Sequence, residues 1–441
     1  MAACRPRSVT DPTVCLTGVA GFLAASHLAE KHALPGTLRL VVCLAATAAP
    51  MILLDILVRG VHRRASAGLS GGGRRHPLRW RRATVKLAGL WGTVAAVALA
   101  YWIVPEYDDP WYAPFWDLVR AAGPFVLAAS IPYVVLVDAH QAEPADEYWH
   151  AGRLLLGRWR GLDWRLLRRH ASNWVIKGFY LPLMTTLLAR NLVDFAAWDL
   201  RAALVSVPRL VGYVSQLALA IDLAFVAIGY MLTLRVIDSH IRTPNPFVYG
   251  WVVTLALYRP FWAPLQERFF RYGSGGAWLD WMGGSPVLLA SWGTLIILAK
   301  LSWVWANVSF GTRFSNLTNR GIITSGPYRF TKHPSYLAKN VSWWLLSVPF
   351  LSHEGPGAAT QHVLALLGIN LFYFLRARAE EAHLSEDSTY VEYAQWIEEH
   401  GALRGLGRLL PVLRYRPPAV PPPAAGGRGD RFRGGRSRGI P

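Results

Sequence analysis

Apolar blocks alternate with polar connections along most of this chain, at residues 13–28, 38–58, 84–104, 115–138, 173–190, 210–234, 247–265 and 286–308, then 341–352 with 361–376. A helix that spans a bilayer needs about 20 predominantly apolar residues. The blocks therefore predict eight to ten spans or half-spans. All should be helical, because hydrocarbon offers no other way to satisfy an open backbone. The expected fold is all-α, a polytopic transmembrane helical bundle. It divides into an N-terminal bundle over residues 1–285, a C-terminal membrane domain over 286–412 and a tail over 413–441. The tail, rich in Pro, Gly and Arg, cannot form a core and is expected to lie disordered, on anionic lipid headgroups.

Charge between the blocks assigns sides. The connection from Arg59 to Lys86 carries Arg63, Arg64, Arg74, Arg75, Arg79, Arg81 and Arg82, and reads as cytoplasmic. The next, PEYDDPWYAP, carries Glu106, Asp108 and Asp109 and reads as outward-facing. The one after, with Arg153, Arg158, Arg160, Arg165, Arg168 and Arg169, is basic again. Continuing the alternation places 235–246 inside, 267–284 outside and 324–336 inside. Arg5 and Arg7 before the apolar run from Val14 to Ala25 have the layout of a signal peptide, but the apolar run that follows favours a retained helical hairpin.

Composition refines this picture. The net charge of +19 is explained by positive-inside topology; no nucleic-acid-binding motif accompanies it, so no nucleic-acid partner is expected. Twenty Trp fit the aromatic belts of membrane proteins. Three Cys without paired spacing support neither a disulfide framework nor a metal site. The Ala/Arg/Gly/Trp-rich composition, with no organelle signal, points to a bacterial inner membrane. The stretch GLSGG from Gly68 matches a nucleophile-elbow pattern but lacks the strand and helix that motif requires, and reads as a solvated loop. Asp55, Lys177, Asp222 and Lys300 are ionisable residues inside apolar blocks, which makes each a functional candidate. Snorkelling accounts equally well for Asp55 and Lys300. Asp222, mid-block in LALAIDLAFVAI, is either a polar contact between helices or a group facing a lumen.

Two passages break the bundle pattern. One is RGIITSGPYRFTKHPSYLAK, Arg320 to Lys339, a turn-rich polar stretch between apolar segments. The other is FLRARAEEAHLSEDSTYVEYAQWI, Phe374 to Ile397, directly after the last apolar block. Arg376 and Glu380 are four apart on a helix and share a face, with Glu381 on a neighbouring one. Alone they would read as a helix-end ion pair worth roughly a few tenths of a kcal/mol. The loop precedes one span and the Arg/Glu cluster leaves the next at the same membrane face, so the two can meet.

Together these passages resemble the catalytic region of the isoprenylcysteine carboxyl methyltransferase and phospholipid methyltransferase family. The first motif is carried by Thr324, Ser325, Gly326, Tyr328, Lys332, His333, Pro334 and Tyr336, the second by Arg376, Glu380, Glu381, Tyr390 and Tyr393. The resemblance covers roughly residues 300–400. It implies a helical hairpin with a cytoplasmic site for S-adenosylmethionine. The cofactor would be held by Arg320, Gly321, Ile322, Ile323, Tyr328, His333, Pro334, Ser335, Tyr336, Glu380 and Glu381. Arg376 would face the accepting group of a lipophilic acceptor, a carboxylate or a lipid, and His333 would serve as base for an amine acceptor. The sequence departs from the family pattern at Lys332, where Arg is usual, at Ala338, where Gly is frequent, and in a shortened link between Glu381 and Tyr390. Two other function classes fit parts of the chain. A sterol-type membrane reductase using NADPH has a related helical layout, and a non-catalytic or transport protein on the same scaffold would explain the large N-terminal bundle and Asp222.

Overall fold

The computed structural model of the chain describes residues 4–70, 79–271 and 277–416. Helices dominate: α1 Pro12–Lys31, α2 Gly36–Leu57, α3 Trp80–Ile103, α4 Ala113–His140, α5 Glu147–Leu155, α6 Trp164–Ala196, α7 Leu200–Ala203, α8 Val207–Met231, α9 Val248–Leu255, α10 Trp262–Phe269, α11 Ala277–Met282, α12 Pro286–Val308, α13 Pro334–Ser347, α14 Pro356–Leu384, α15 Ser388–His400 and α16 Arg404–Leu409. Their starts are written locally. The side chains of Asp11, Asp146, Asp163, Ser285 and Asp387 accept from first-turn N–H groups, and Pro12, Pro286, Pro334 and Pro356 occupy first-turn positions where no donor is lost.

Among the described residues, α1, α2, α3, α4, α8, α12 and α14 are long and apolar enough to cross a membrane. The all-α multi-pass expectation holds. α6 has the length for a span, 33 residues, but begins with Arg165, Arg168 and Arg169. The block at 247–265 is not a continuous helix. It breaks into α9 and α10 around Arg259 and Pro260, because Pro cannot continue the hydrogen-bond ladder and disfavours helix in the residue before it. Arg259 there pairs with the acidic loop beyond α3, at 2.7 Å from Glu106 and also with Asp109. The region 341–352 is served by α13, whose 14 residues end at Ser347, too short to cross. Arg74, Arg75, the end of the GLSGG stretch and the tail from 417 lie outside the described residues.

The main core gathers Phe22, Met51, Tyr180 and Phe225 from α1, α2, α6 and α8 with Val304 and Val308 from α12, so packing runs across residue 285. Asp222 lies in this region, buried, and accepts a hydrogen bond from Asn307 Nδ2. It makes a contact between α8 and α12. Lys177 and Lys300 rest over the rings of Trp174 and Trp303, at 4.0 and 5.3 Å. Polar groups between α3, α4 and α5 are also matched: Arg82 and Lys86 meet Asp138 at 2.8 and 2.9 Å, and Lys86 reaches Asp146 at 3.2 Å.

One end of the bundle is tied by buried charge. Asp238 is fully buried, 3.2 Å from Arg313, 3.8 Å from each of Arg64 and Arg242, and accepts from Ser66 Oγ at 2.8 Å. Arg320 donates to the carbonyls of Gly229, Leu232, Ser239, Thr312 and Phe314 at 2.6 to 3.1 Å. Five backbone acceptors from three segments thus converge on one planar fork. A short antiparallel pair, β1 Thr243–Pro244 with β2 Thr318–Asn319, joins the same loops. The basic connection at 59–70, the 232–246 loop and the 309–325 loop therefore share one end.

Removing the Arg320 guanidinium would strand buried carbonyls. Arg320→Ala is expected to destabilise the detergent-solubilised protein by about 3 kcal/mol or more, read as a lowered Tm, with Arg320→Lys recovering only part. His240 generates a second expectation. Burial first, then Arg235, Arg242, Arg313 and Arg320, push its imidazole from the ordinary 6.5 down to about 2. The unfolded chain takes up this proton near 6.5 and the folded chain does not. The contribution to stability is therefore complete above 6.5 and declines as pH falls below it. Tm should fall between about pH 7 and 5, and His240→Asn should flatten that fall.

Candidate functional site

The loop after α12 and the α13–α14 hairpin frame a cavity of about 790 Å³, its open mouth included. Two hydrogen bonds zip the hairpin, Trp344 Nε1 to Asn370 Oδ1 at 2.8 Å and Asn370 Nδ2 to Asn340 Oδ1 at 2.7 Å. On α14 the residues Tyr373, Arg376, Ala379, Glu380 and His383 follow a three/four spacing and all line the cavity. On α13, Ser335, Tyr336 and Lys339 do the same. Asn307 at the end of α12, Tyr258, and the loop residues Phe310, Phe314, Asn316 and Tyr328 complete the main walls.

Arg376 is buried and carries no carboxylate within ion-pair distance among the described residues. Its Nη2 donates to Asn316 Oδ1, and its guanidinium stands 5.1 Å from the Tyr336 ring, 5.9 Å from Tyr258 and 6.0 Å from Tyr373. Asn316 is held in turn, its backbone N–H donating to Tyr230 at 2.8 Å and its Nδ2 to Tyr258 at 3.1 Å. A buried cation in a ring of π faces, without a counter-ion, is a costly arrangement that an anionic ligand would relieve.

The two glutamates part ways because neighbouring helix residues point about 100° apart. Glu380 faces the cavity with its side chain 38% exposed, while that of Glu381 is 6% exposed. Glu380 accepts from the Tyr336 hydroxyl at 2.8 Å, and the His333 ring stacks on Tyr336 at 5.4 Å. Glu381 turns away and binds Lys332 at 3.0 Å, His333 Nε2 at 3.3 Å and Arg378 at 2.6 Å. Lys332 also reaches Glu398 on α15 at 2.8 Å. An ammonium is sufficient at this position, since it bridges two carboxylates from different helices and has no single planar partner to match.

Of the residues the sequence singles out, Tyr328, Lys332, His333, Ser335, Tyr336, Arg376 and Glu380 line the cavity. Arg320, Gly321, Ile322, Ile323, Pro334 and Glu381 lie outside its lining. Arg320 is committed to loop carbonyls, and Glu381 to its three cations. Ile322 and Ile323 are buried with Tyr390 and Tyr393, whose hydroxyl at Tyr393 donates to the carbonyl of Tyr328 at 2.7 Å. Gly321 has φ +102° and Val9 lies 2.8 Å from where a Cβ would stand, so this glycine accommodates the N-terminal segment. That segment pairs with the loop through Val9 N–H to the Ile322 carbonyl at 3.1 Å and the Thr324 hydroxyl to the Pro6 carbonyl at 2.7 Å. Gly326 has φ +60° and abuts Ser309 of the α12 end. Pro334 sits in the first turn of α13.

Lys339, Asn307, Asn316, Tyr258 and Tyr373 are lining residues that the motifs do not include. For Lys339 and Tyr373 the signal was helical spacing from Tyr336 and Arg376. Asn307, Asn316 and Tyr258 come from separate segments, and no local pattern announces them.

The division between the glutamates can be measured. Glu381→Gln leaves Lys332 and Arg378 without their shared anion and is expected to cost about 3 kcal/mol. Glu380→Gln, at a half-exposed position, is expected to change stability by under about 1 kcal/mol. Thermal unfolding of both variants checks this.

Comparison with known proteins adds one finding. Residues 289–386 match the model of the isoprenylcysteine carboxyl methyltransferase (ICMT) family. No curated protein and no solved structure matches the chain.

Proposed function

We propose, from the isoprenylcysteine carboxyl methyltransferase family region at residues 289–386, that this multi-pass membrane protein is an S-adenosylmethionine-dependent methyltransferase. It acts on a lipophilic acceptor, a carboxylate or lipid, at the cytoplasmic face of a bacterial inner membrane. The observation that carries this reading is the pairing, in one cavity, of a half-exposed carboxylate at Glu380 with a buried, carboxylate-free guanidinium at Arg376.

The donor set suits the cofactor. Glu380 would pair with the cofactor's ammonium, through a charge-assisted bond stronger than a neutral one. Tyr328 and Phe310, edge to face at 5.5 Å, form an aromatic wall for adenine. Tyr336, backed by the His333 ring, offers a π face to positive charge. Bound S-adenosylmethionine would supply a methyl group already activated on sulfur. Arg376 holds a carboxylate acceptor by its fork, and such an acceptor is ionised at neutral pH and needs no base. The aromatic lining excludes water, and alignment of two reactants in such a site contributes several kcal/mol, on the order of 7 in favourable cases. For an amine acceptor His333 is the base in reach, oriented by Glu381. Arg320 to Ile323, Pro334 and Glu381 serve this site by holding its walls and its histidine. The N-terminal bundle contributes as well, since Asn245, Thr254 and Tyr258 line the same cavity.

Calorimetry of the full-length protein in detergent should show S-adenosylhomocysteine binding, weakened at least about tenfold by Glu380→Gln. Arg376→Ala should retain that binding while methyl transfer from labelled cofactor to membrane lipid falls about a hundredfold or more. Binding of NADPH in place of the homocysteine compound would favour the reductase reading, and binding of neither the non-catalytic one.

A further inference from the structure

Lys339 is, beside Arg376, a second cation of the cavity lining that no carboxylate pairs with among the described residues. It projects from α13 on the face shared with Ser335 and Tyr336 and lines the cavity with Arg376. Its ammonium rests 4.6 Å over the ring of Trp303. Among the described residues its side chain makes no hydrogen bond and no ion pair. Asp222 lies within electrostatic reach but beyond 4 Å, and one of its oxygens is taken by Asn307. Among the described residues several cations inside the protein meet carboxylates: Lys86 has Asp138 and Asp146, Lys332 has Glu381 and Glu398, and Arg313 has Asp238. Lys177 and Lys300 rest over Trp174 and Trp303 without a carboxylate, but neither lines the cavity. Arg376 and Lys339 also lack a carboxylate partner among the described residues, and these two stand in the same cavity. Tyr258 and Tyr373 line the same cavity as both cations. Two like charges in a low-dielectric site repel each other, and a ligand with one negative charge would leave one of them unanswered.

We propose that the acceptor is an amphiphile whose head carries two anionic groups, one held by Arg376 and the other by Lys339. This rests on the acceptor-site reading above and names the class of acceptor within it. Arg376 presents a fork to the first group, and Lys339 meets the second as a compact charge whose position is set by the Trp303 face beneath it. Lys339 is thus a specificity-determining residue, one that separates heads of one and two charges.

The test uses the full-length protein in neutral detergent with S-adenosylhomocysteine present, and two probes of equal chain length, laurate with one carboxylate and dodecylsuccinate with two. Calorimetric titration at fixed ionic strength should show dodecylsuccinate binding about tenfold tighter or more. Lys339→Gln should bring dodecylsuccinate to the affinity of laurate and leave laurate within about twofold. Lys339→Arg should keep the preference, which a merely structural role for the lysine would not require. Equal affinities for the two probes in the wild type, or a Lys339→Gln variant that weakens both alike, would overturn the inference. Equal affinities together with intact homocysteine-cofactor binding would leave the methyl-transfer reading standing. A preference for two charges without any cofactor binding would do the reverse.

Discussion

Asp238 is a carboxylate with no exposed surface, and three arginines from three different segments surround it. A charge buried in this way must be paired, so Arg64, Arg242 and Arg313 have little freedom to be elsewhere. Arg313 in turn donates to the carbonyl of Arg320 at 3.1 Å, and Arg320 gathers the loop carbonyls around it. The connections between spans, which in a membrane protein have only water and headgroups to order them, are thereby fixed relative to one another. The loop leading into α13 inherits that order. The positions of Phe314, Asn316 and Tyr328 in the cavity wall depend on it.

The same accounting of charge explains why the cavity stands out. Between α3, α4 and α5, Arg82 and Lys86 meet carboxylates at close to 3 Å. Around His333, three cationic or titratable groups share the carboxylate of Glu381. At Arg376 the protein supplies an amide oxygen and aromatic faces instead. An ionisable group without a counter-ion in such a cavity is a candidate for function. The carboxylate-free guanidinium and the cavity of the α13–α14 hairpin coincide.

The break between α9 and α10 has a structural consequence. A continuous helix over 247–265 would present a smooth apolar surface to α14. The interruption instead lets Arg259 reach Glu106 and Asp109 and puts the preceding Tyr258 against Arg376 and Asn316. The N-terminal bundle is joined to the C-terminal region through this turn, through Asp222 with Asn307, and through the core shared by α8 and α12.

Much of this was legible in the linear chain. Apolar runs of span length admit only helices in lipid, so the helix positions followed from periodicity and length, and the caps from Asp, Ser and Pro at their starts. The two motif passages were visible as polar interruptions, and the Arg376–Glu380 spacing put both on one face. What the chain did not disclose depends on rotation and on distant partners. Glu380 and Glu381 are adjacent and chemically identical, yet one faces the cavity and the other a cluster of cations, since α14 packs against α13 in only one rotation. Arg320 and its neighbours belong to the motif by sequence, but the carbonyls they serve are up to 91 residues away. Asp222 could not be assigned until Asn307 stood beside it. Local sequence determined which elements form and where charge interrupts them; tertiary packing decided which charges are answered, because a buried ion's state depends on neighbours that proximity along the chain does not supply.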